Sequence, residues 1–332
     1  MIRHAAAFGL SFIFALYWTP LMRKAAIQVG ILDRPDGKLK KHGDAVPYLG
    51  GIAVFAAFLL TVGVLTDFGP QILGLLLSSS IVLVVGLIDD FGALTPSQKL
   101  LGQTLAALVL IKSGTFIKLA FLPVYVAIPL TVVWILTVTN ALNIIDIMDG
   151  LASGVATIAA VAIGVANLIA GRTEIAFLSF VLAGAIAGFL RHNFHPAKIY
   201  LGDAGSLFIG FLLAALSMNA GYTRTNLLAT ISPVLILGIP LFDLALVMWL
   251  RWRHGIPVMK GSPDHFALRL RRCRLSVRET AVTTYIVGIL LAGLALMMSH
   301  VSLPWAIGAI GGAVTAGLLS AYLLTKVDMT PH

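Results

Sequence analysis

The stretch Thr139-Asn140-Ala141-Leu142-Asn143-Ile144-Ile145-Asp146-Ile147-Met148-Asp149-Gly150 closes a long apolar run with two carboxamides and two carboxylates. Asn140, Asn143, Asp146 and Asp149 recur every three residues, so a helix through them would set all four as neighbours on one slowly rotating face. That face is polar where its flanks are lipid-like. Two other runs bring similar groups to the ends of apolar segments, Val85-Gly86-Leu87-Ile88-Asp89-Asp90 upstream and Tyr200-Leu201-Gly202-Asp203-Ala204-Gly205-Ser206 downstream. A functional reading has to account for the three together.

The surroundings of this stretch identify its solvent. With 59% hydrophobic and 11% charged residues among 332, and a mean hydropathy of +0.97, the chain lies outside the range of soluble domains. It reads as an all-α, polytopic membrane bundle. Apolar runs of span-like length, roughly 17 to 25 residues, fall near 5–22, 46–66, 70–88, 99–113, 121–142, 150–170, 174–190, 204–220, 227–250, 280–298 and 303–325. The expectation is eleven spans in one catalytic unit covering 1–332, or ten if the short run 99–113 does not cross. The first run lacks a small-residue cleavage pattern and is read as an uncleaved helix. The lone Cys273 excludes an intrachain disulfide.

Lysine and arginine set the orientation. With the N-terminus outside, eighteen of the 23 basic residues fall on the inner side and five, Arg3, Lys112, Lys118, Arg172 and Arg224, on the outer. This is the asymmetry expected of cytoplasmic loops. The same topology brings Asp89-Asp90, the Asn140 to Asp149 stretch and Gly202-Asp203 to the cytoplasmic face, with inner loops near 23–45, 89–99, 140–150, 191–204 and 251–279.

Each loop has a plain reading and a chemical one. The basic run Lys38-Leu39-Lys40-Lys41-His42 could hold phosphates or rest on anionic head groups. Adjacent Asp89 and Asp90 repel, so ionising both in a partly desolvated place calls for a cation or a raised pKa; the alternative is a solvated turn. Their hard oxygens suit magnesium, which takes one or two carboxylates plus substrate phosphates. Lys99 is either a phosphate contact or a helix-start cation. Asp146 and Asp149, costly at a membrane-helix end, point to function. Gly202-Asp203-Ala204-Gly205-Ser206 reads as a tight turn entering a helix, without the Gly-Lys-Ser/Thr ending of a P-loop. Asp243, inside an apolar run, needs a partner or a polar cavity. Gly150, Gly154, Gly184, Gly188, Gly308 and Gly312 stand at the spacing of close helix packing.

Taken in order, Lys-His…Pro-Tyr-Leu-Gly-Gly, Asp-Asp, Asn-xx-Asn-xx-Asp-xx-Asp-Gly-Leu, Leu-Gly-Asp-Ala-Gly-Ser and a final basic loop with His265 give the chain its resemblance. Across roughly 32–275 it is similar to the polyprenyl-phosphate N-acetylhexosamine-1-phosphate transferase family. That resemblance implies a magnesium-dependent transfer, with manganese as the alternative ion, of sugar-1-phosphate from a UDP-sugar to a polyprenyl phosphate, releasing UMP. It implies an enzyme of a bacterial inner membrane acting at the cytoplasmic face, without nucleic acid, and leaves a homodimer open. By motif position, Asp89 and Asp90 match the paired aspartates, Asn143 and Asp146 the central active-site residues, Asp203 a magnesium ligand and Lys99 a phosphate contact. Asp149 joins the catalytic set, Asp89 and Asp90 help hold the metal, and Lys41, His42, Asn140, His265 and Arg269 join the substrate contacts.

Two departures stand out. The usual Asp-Gly-x-Asp-Gly is here Asp146-Ile147-Met148-Asp149-Gly150, and the usual His-x-His-His-Arg is His265-Phe266-Ala267-Leu268-Arg269. The single histidine, together with Pro240-x-x-Asp243, resembles the branch that takes plain N-acetylhexosamines rather than the pentapeptide-bearing donor. UDP-GlcNAc is the expected donor, and initiation of a lipid-linked surface polysaccharide the expected role. A secondary transporter is the rival class; it would set acids near mid-membrane and carry an inverted repeat, and neither is visible here.

Overall fold

The computed structural model of the chain describes residues 2–33, 46–119, 121–218, 227–257 and 264–329. These residues form helices α1 (Ile2–Val29), α2 (Gly50–Leu65), α3 (Pro70–Asp90), α4 (Pro96–Lys112), α5 (Val124–Ile145), α6 (Leu151–Ile169), α7 (Thr173–Asn193) and α8 (Gly202–Ser217). After a 3-10 turn, Leu227–Ile231, come α9 (Ser232–Ile236), α10 (Gly238–Arg253), α11 (Phe266–Arg272), α12 (Val277–Met298) and α13 (Leu303–Thr325). Each of the eleven apolar runs coincides with helix. Seven helices are by themselves long and apolar enough to cross a membrane, and a bent pair brings the number to eight. Helices α2 and α8, 16 residues each, rise roughly 24 Å, short of a hydrocarbon core of about 30 Å.

The bent pair is where the expectation of a straight span over 227–250 gives way. Leu227–Ile236 and Gly238–Arg253 meet at 76°. Pro233 stands in the first turn of α9, and Pro240, lacking an N–H, cannot bond back to the end of that helix. The chain therefore breaks at Leu237-Gly238 and starts again as α10, which carries Asp243.

Helix α8 is the centre of the bundle: every residue from Ala204 to Ser217 is buried, among α2, α3, α5 and α6. The N-terminus of α8 is held tightly. A Cβ on Gly86 of α3 would come 2.5 Å from the Cα of Ala204, so only glycine lets the end of α3 lie against the first turn of α8. On the other side lie antiparallel β1 (Leu32–Asp33) and β2 (Val46–Pro47). From β2 the ties continue: the Tyr200 N–H donates to the Pro47 carbonyl (2.8 Å), and the Gly50 and Gly51 N–H groups donate to Tyr200 and Leu201 carbonyls (3.0 and 2.8 Å).

The expectation of close packing at small residues holds in part. Gly184 and Gly188 of α7 lie against the α1 backbone at Phe8 and Phe12, and Gly154 lies against the Tyr285 ring. Gly308 and Gly312 face open space, because α13 runs along the outside with none of its apolar window buried.

Candidate active site

Helices α3, α5 and α7 end, and α4, α6 and α8 begin, at the same end of the bundle, which gathers the polar groups there. Thr95 and Gln98 form a capping box with Pro96 in the first turn, which starts α4 sharply and fixes Lys99 one residue further on. The Lys99 ammonium lies 2.6 Å from Asp89 Oδ2, 3.3 Å from Asp203 Oδ2 and 3.2 Å from Asn143 Oδ1. Asn143 Nδ2 donates to Asp203 Oδ1 at 2.6 Å and to Ser206 Oγ at 2.8 Å. Lys99 and Asn143 thus fix both oxygens of Asp203 from two sides. The Asp203 side chain remains 36% exposed, so an incoming anion or cation can reach it.

Asp90 does something different from its neighbour. Its Oδ1 accepts the backbone N–H of Asp203 at 2.7 Å and its Oδ2 that of Ala204 at 3.1 Å. A carboxylate from α3 therefore caps the N-terminus of α8, where free N–H groups and the helix dipole favour negative charge. Gly202, at φ +75°, where an added Cβ would come 2.9 Å from Asp90 Oδ2 and from the Tyr48 carbonyl, makes the turn that exposes those N–H groups. Tyr48 adds a bond from its hydroxyl to the Asp90 carbonyl (3.2 Å).

The four polar residues of the opening stretch do not share one helix face. Helix α5 ends at Ile145, with Asp146 outside it at φ −79°, ψ 59°, and Gly150, left-handed at φ 73°, starts α6. The stretch straddles a reversal rather than continuing a helix, so its members diverge. Asn140 forms a reciprocal amide pair with Gln103 (2.7 and 3.3 Å), one turn below the cluster. Asn143 is in the cluster. Asp146 faces it: burial, with the charges of Asp203, Asp90 and Asp149 adding to it, pushes the carboxyl up to about 7. Asp149 points to the segment before α8, 2.7 Å from His195 Nδ1, and accepts the Ala197 N–H at 3.0 Å.

His265 and Arg269 make no hydrogen bond or ion pair to the acidic cluster. His265 Nδ1 lies 2.8 Å from Asp243 Oδ2. Arg269, 3% exposed, bonds Asp264 Oδ1 at 2.7 Å and the Leu324 and Val327 carbonyls at 2.9 and 3.2 Å. These bonds tie α11 to the end of α13 and account for its buried guanidinium. Lys41 and His42 lie outside the described residues.

Sequence reasoning left Gln103, Ser206, His195 and Asn193 without a role. Gln103 falls one helical turn after Lys99, a usable signal. Asn193 gave none: it accepts the Gly150 N–H (3.2 Å) and the Ser153 hydroxyl (2.6 Å) and donates to the Ile199 carbonyl (3.0 Å), locking the α5–α6 reversal to the strand of chain before α8.

Among the described residues, no three His, Cys, Asp or Glu side chains are grouped so as to hold a metal ion by themselves. The charge balance nevertheless fits a divalent cation. Lys99 bonds Asp89 and Asp203, Asp90 and Asp146 lie close by, and Asp146 is raised by burial first and by the neighbouring carboxylates second. Hard oxygens in this arrangement suit magnesium, which completes its shell with water and phosphate.

Alternate helix ends of a membrane bundle thus collect carboxylates, a lysine and a capped helix N-terminus in one place. The family model described as Glycosyl transferase family 4 matches residues 72–221, the segment from α3 to just past α8. The chain belongs to this family. A Bacillus subtilis (strain 168) protein named "Probable undecaprenyl-phosphate N-acetylglucosaminyl 1-phosphate transferase" is 33% identical over 314 residues, covering 91% of this chain and 87% of the relative. The decaprenyl-phosphate N-acetylglucosaminephosphotransferase of Mycobacterium tuberculosis (strain ATCC 25618 / H37Rv) is 32% identical over 368 residues, covering 98% and 90%. The undecaprenyl-phosphate alpha-N-acetylglucosaminyl 1-phosphate transferase of Escherichia coli (strain K12) is 25% identical over 304 residues, covering 87% and 82%.

Proposed function

We propose that the protein transfers N-acetylglucosamine-1-phosphate from UDP-GlcNAc to undecaprenyl or another polyprenyl phosphate, releasing UMP, with its site on the cytoplasmic face. The observation that carries the reading is the Asp89–Lys99–Asp203–Asn143 constellation at the buried N-terminus of α8, in a chain whose relatives carry polyprenyl-phosphate transferase names.

The reaction brings two anions together. An oxygen of the lipid phosphate attacks the β-phosphorus of the UDP-sugar, the bond from that phosphorus to the bridging oxygen breaks, and UMP leaves with the electron pair. Alignment and charge neutralisation are the protein's tasks. Lys99 supplies positive charge to a phosphate oxygen while Asn143 keeps Asp203 turned toward the substrates. Asp203 and Asp89 would hold magnesium, with Asp146 adding negative charge close by. When bound, the metal neutralises the diphosphate and the leaving UMP. Asp90, with both oxygens on backbone N–H groups, holds α8 in place. Of the aspartate pair, Asp89 therefore serves as acceptor for any proton on the lipid phosphate, and attack is direct.

The test is UMP release by the purified protein given UDP-GlcNAc, undecaprenyl phosphate and magnesium. Release with UDP-GlcNAc, and slower release with UDP-MurNAc-pentapeptide, is the expected result. Faster turnover of the pentapeptide donor than of every UDP-N-acetylhexosamine would overturn the branch assignment, and no release with any UDP-sugar would overturn the reaction.

A further inference from the structure

Asp243 is the one acid of the α9–α10 segment, and the transfer chemistry does not use it. It is fully buried, 0% exposed, inside the second half of a broken span, where an unpaired carboxylate would be costly. Its two oxygens have separate partners. Oδ2 lies 2.8 Å from His265 Nδ1, and Oδ1 accepts the backbone N–H of Phe266 at 2.8 Å. One carboxylate on α10 thus holds both the imidazole and the first backbone donor of α11. The Phe242 and Phe266 rings meet edge to face 6.3 Å apart beside it, closing the pair off from water.

This arrangement selects a tautomer. A carboxylate accepts and cannot donate, so Nδ1 carries the proton and Nε2 is the ring nitrogen left to face a ligand. The buried bond also fixes the ring plane, since the imidazole is 8% exposed and cannot swing without breaking it. We propose that Asp243 is a positioning residue, which orients His265 so that Nε2 accepts a hydrogen bond from an O–H or N–H of the UDP-sugar's sugar ring. The assignment rests on the reading of the protein as a UDP-sugar transferase. It places the specificity contact of a loop that has a single histidine under the control of a carboxylate 22 residues earlier in the chain.

Asp243→Asn separates the two roles. The amide oxygen still accepts from Phe266, so α11 stays pinned, while the amide nitrogen donates to Nδ1 and forces the imidazole proton onto Nε2, which can then no longer accept. Outer partners of metal-bound histidines are worth about 10- to 100-fold, and a loss on that order is expected for His265 when its carboxylate partner is replaced. Calorimetry with UDP-GlcNAc and magnesium, without lipid acceptor, should show such a loss in donor affinity for Asp243→Asn and for His265→Ala. The double variant should be no weaker than His265→Ala alone, and the melting temperature of Asp243→Asn should stay near wild type. Wild-type affinity in Asp243→Asn, or additive losses in the double variant, overturns the proposal.

His265→Asn keeps the test alive should Asp243→Asn fail to fold. Its amide nitrogen stands where Nδ1 was and preserves the bond to Asp243, yet it lacks Nε2. It should fold as wild type and bind the donor as weakly as His265→Ala, and wild-type affinity there also overturns the proposal. Because binding is read without turnover, a wild-type protein that binds UDP-GlcNAc but releases no UMP counts against the transfer reaction and leaves Asp243 judged on its own.

Discussion

Asp89 and Asp90 are adjacent and identical in chemistry, yet the structure gives them different work, and Asp90→Asn tests the difference. The substitution keeps the shape of the side chain and replaces one acceptor oxygen with an NH2 group. Either the Asp203 or the Ala204 N–H, now 2.7 and 3.1 Å from a carboxylate oxygen, then faces another donor. A hydrogen bond to a charged acceptor contributes about 1.5–3 kcal/mol, and a negative charge at a partly buried helix N-terminus a further ~0.3–2 kcal/mol. A combined loss of about 2–5 kcal/mol amounts to roughly 30- to 5,000-fold in the population holding α8, and with it Asp203, in register. UMP release measured across a magnesium titration should therefore shift to higher magnesium in Asp90→Asn, with a lowered melting temperature. Asp89→Asn should lower the maximal rate and leave the melting temperature near wild type, since Asp89 bonds Lys99 rather than backbone. If Asp90→Asn keeps the wild-type melting temperature and magnesium midpoint while its maximal rate collapses as far as that of Asp89→Asn, the capping role is wrong.

Asp203→Asn, or EDTA added to the wild type, should abolish UMP release with the fold intact by circular dichroism; full activity in either case removes magnesium from the mechanism. In a Cys273→Ser background, a cysteine at exposed Ser97 should react with an impermeant maleimide only from the cytoplasmic side and one at exposed Thr173 only from outside. The reverse pattern would turn the site to the other face. Asp146 predicts a pH effect on the metal-free protein. Its carboxyl is raised from 3.8 to about 7, so the folded state favours the protonated form; that contribution is complete below about 3.8 and lost as pH rises through about 7. The melting temperature should fall between pH 6 and pH 8 in EDTA, and Asp146→Asn should flatten that part of the profile.

Hydropathy made the spans legible, because a lipid solvent enforces apolar helices whatever their packing. Each apolar run is helical for that reason. What length and apolarity could not convey is the bend at Leu237-Gly238, although its causes, Pro233 and Pro240, were in plain view. The Asp-Asp, Asn143 and Gly202-Asp203 motifs were legible as neighbours because all three sit at helix ends on one side of the bundle. The division of labour among them was not. Nothing in the pair Asp89-Asp90 says which carboxylate points along α3 toward Lys99 and which crosses to α8; that depends on Gly86 letting α8 come close.

The Asn140 to Asp149 repeat shows the same limit from the other direction. A three-residue period is a helical signal only while the chain remains helical, and this one stops at Ile145. With the reversal at Gly150, positions that a helix would align are sent to four partners: Gln103, Asp203, the acidic cluster and His195. The departure from Asp-Gly-x-Asp-Gly at Ile147-Met148 leaves the reversal in place, because its support comes from elsewhere. Asn193 receives the Gly150 N–H, and Tyr285 donates from α12 to the Gly150 carbonyl at 2.6 Å. Asn193 also holds the Ile199 carbonyl, just before the turn that presents Asp203. The backbone that aims Asp146 and the backbone that aims Asp203 are thus fastened to one amide, so Asn193→Ala should disturb both halves of the site at once, lowering UMP release while leaving the Lys99–Asp89 pair untouched.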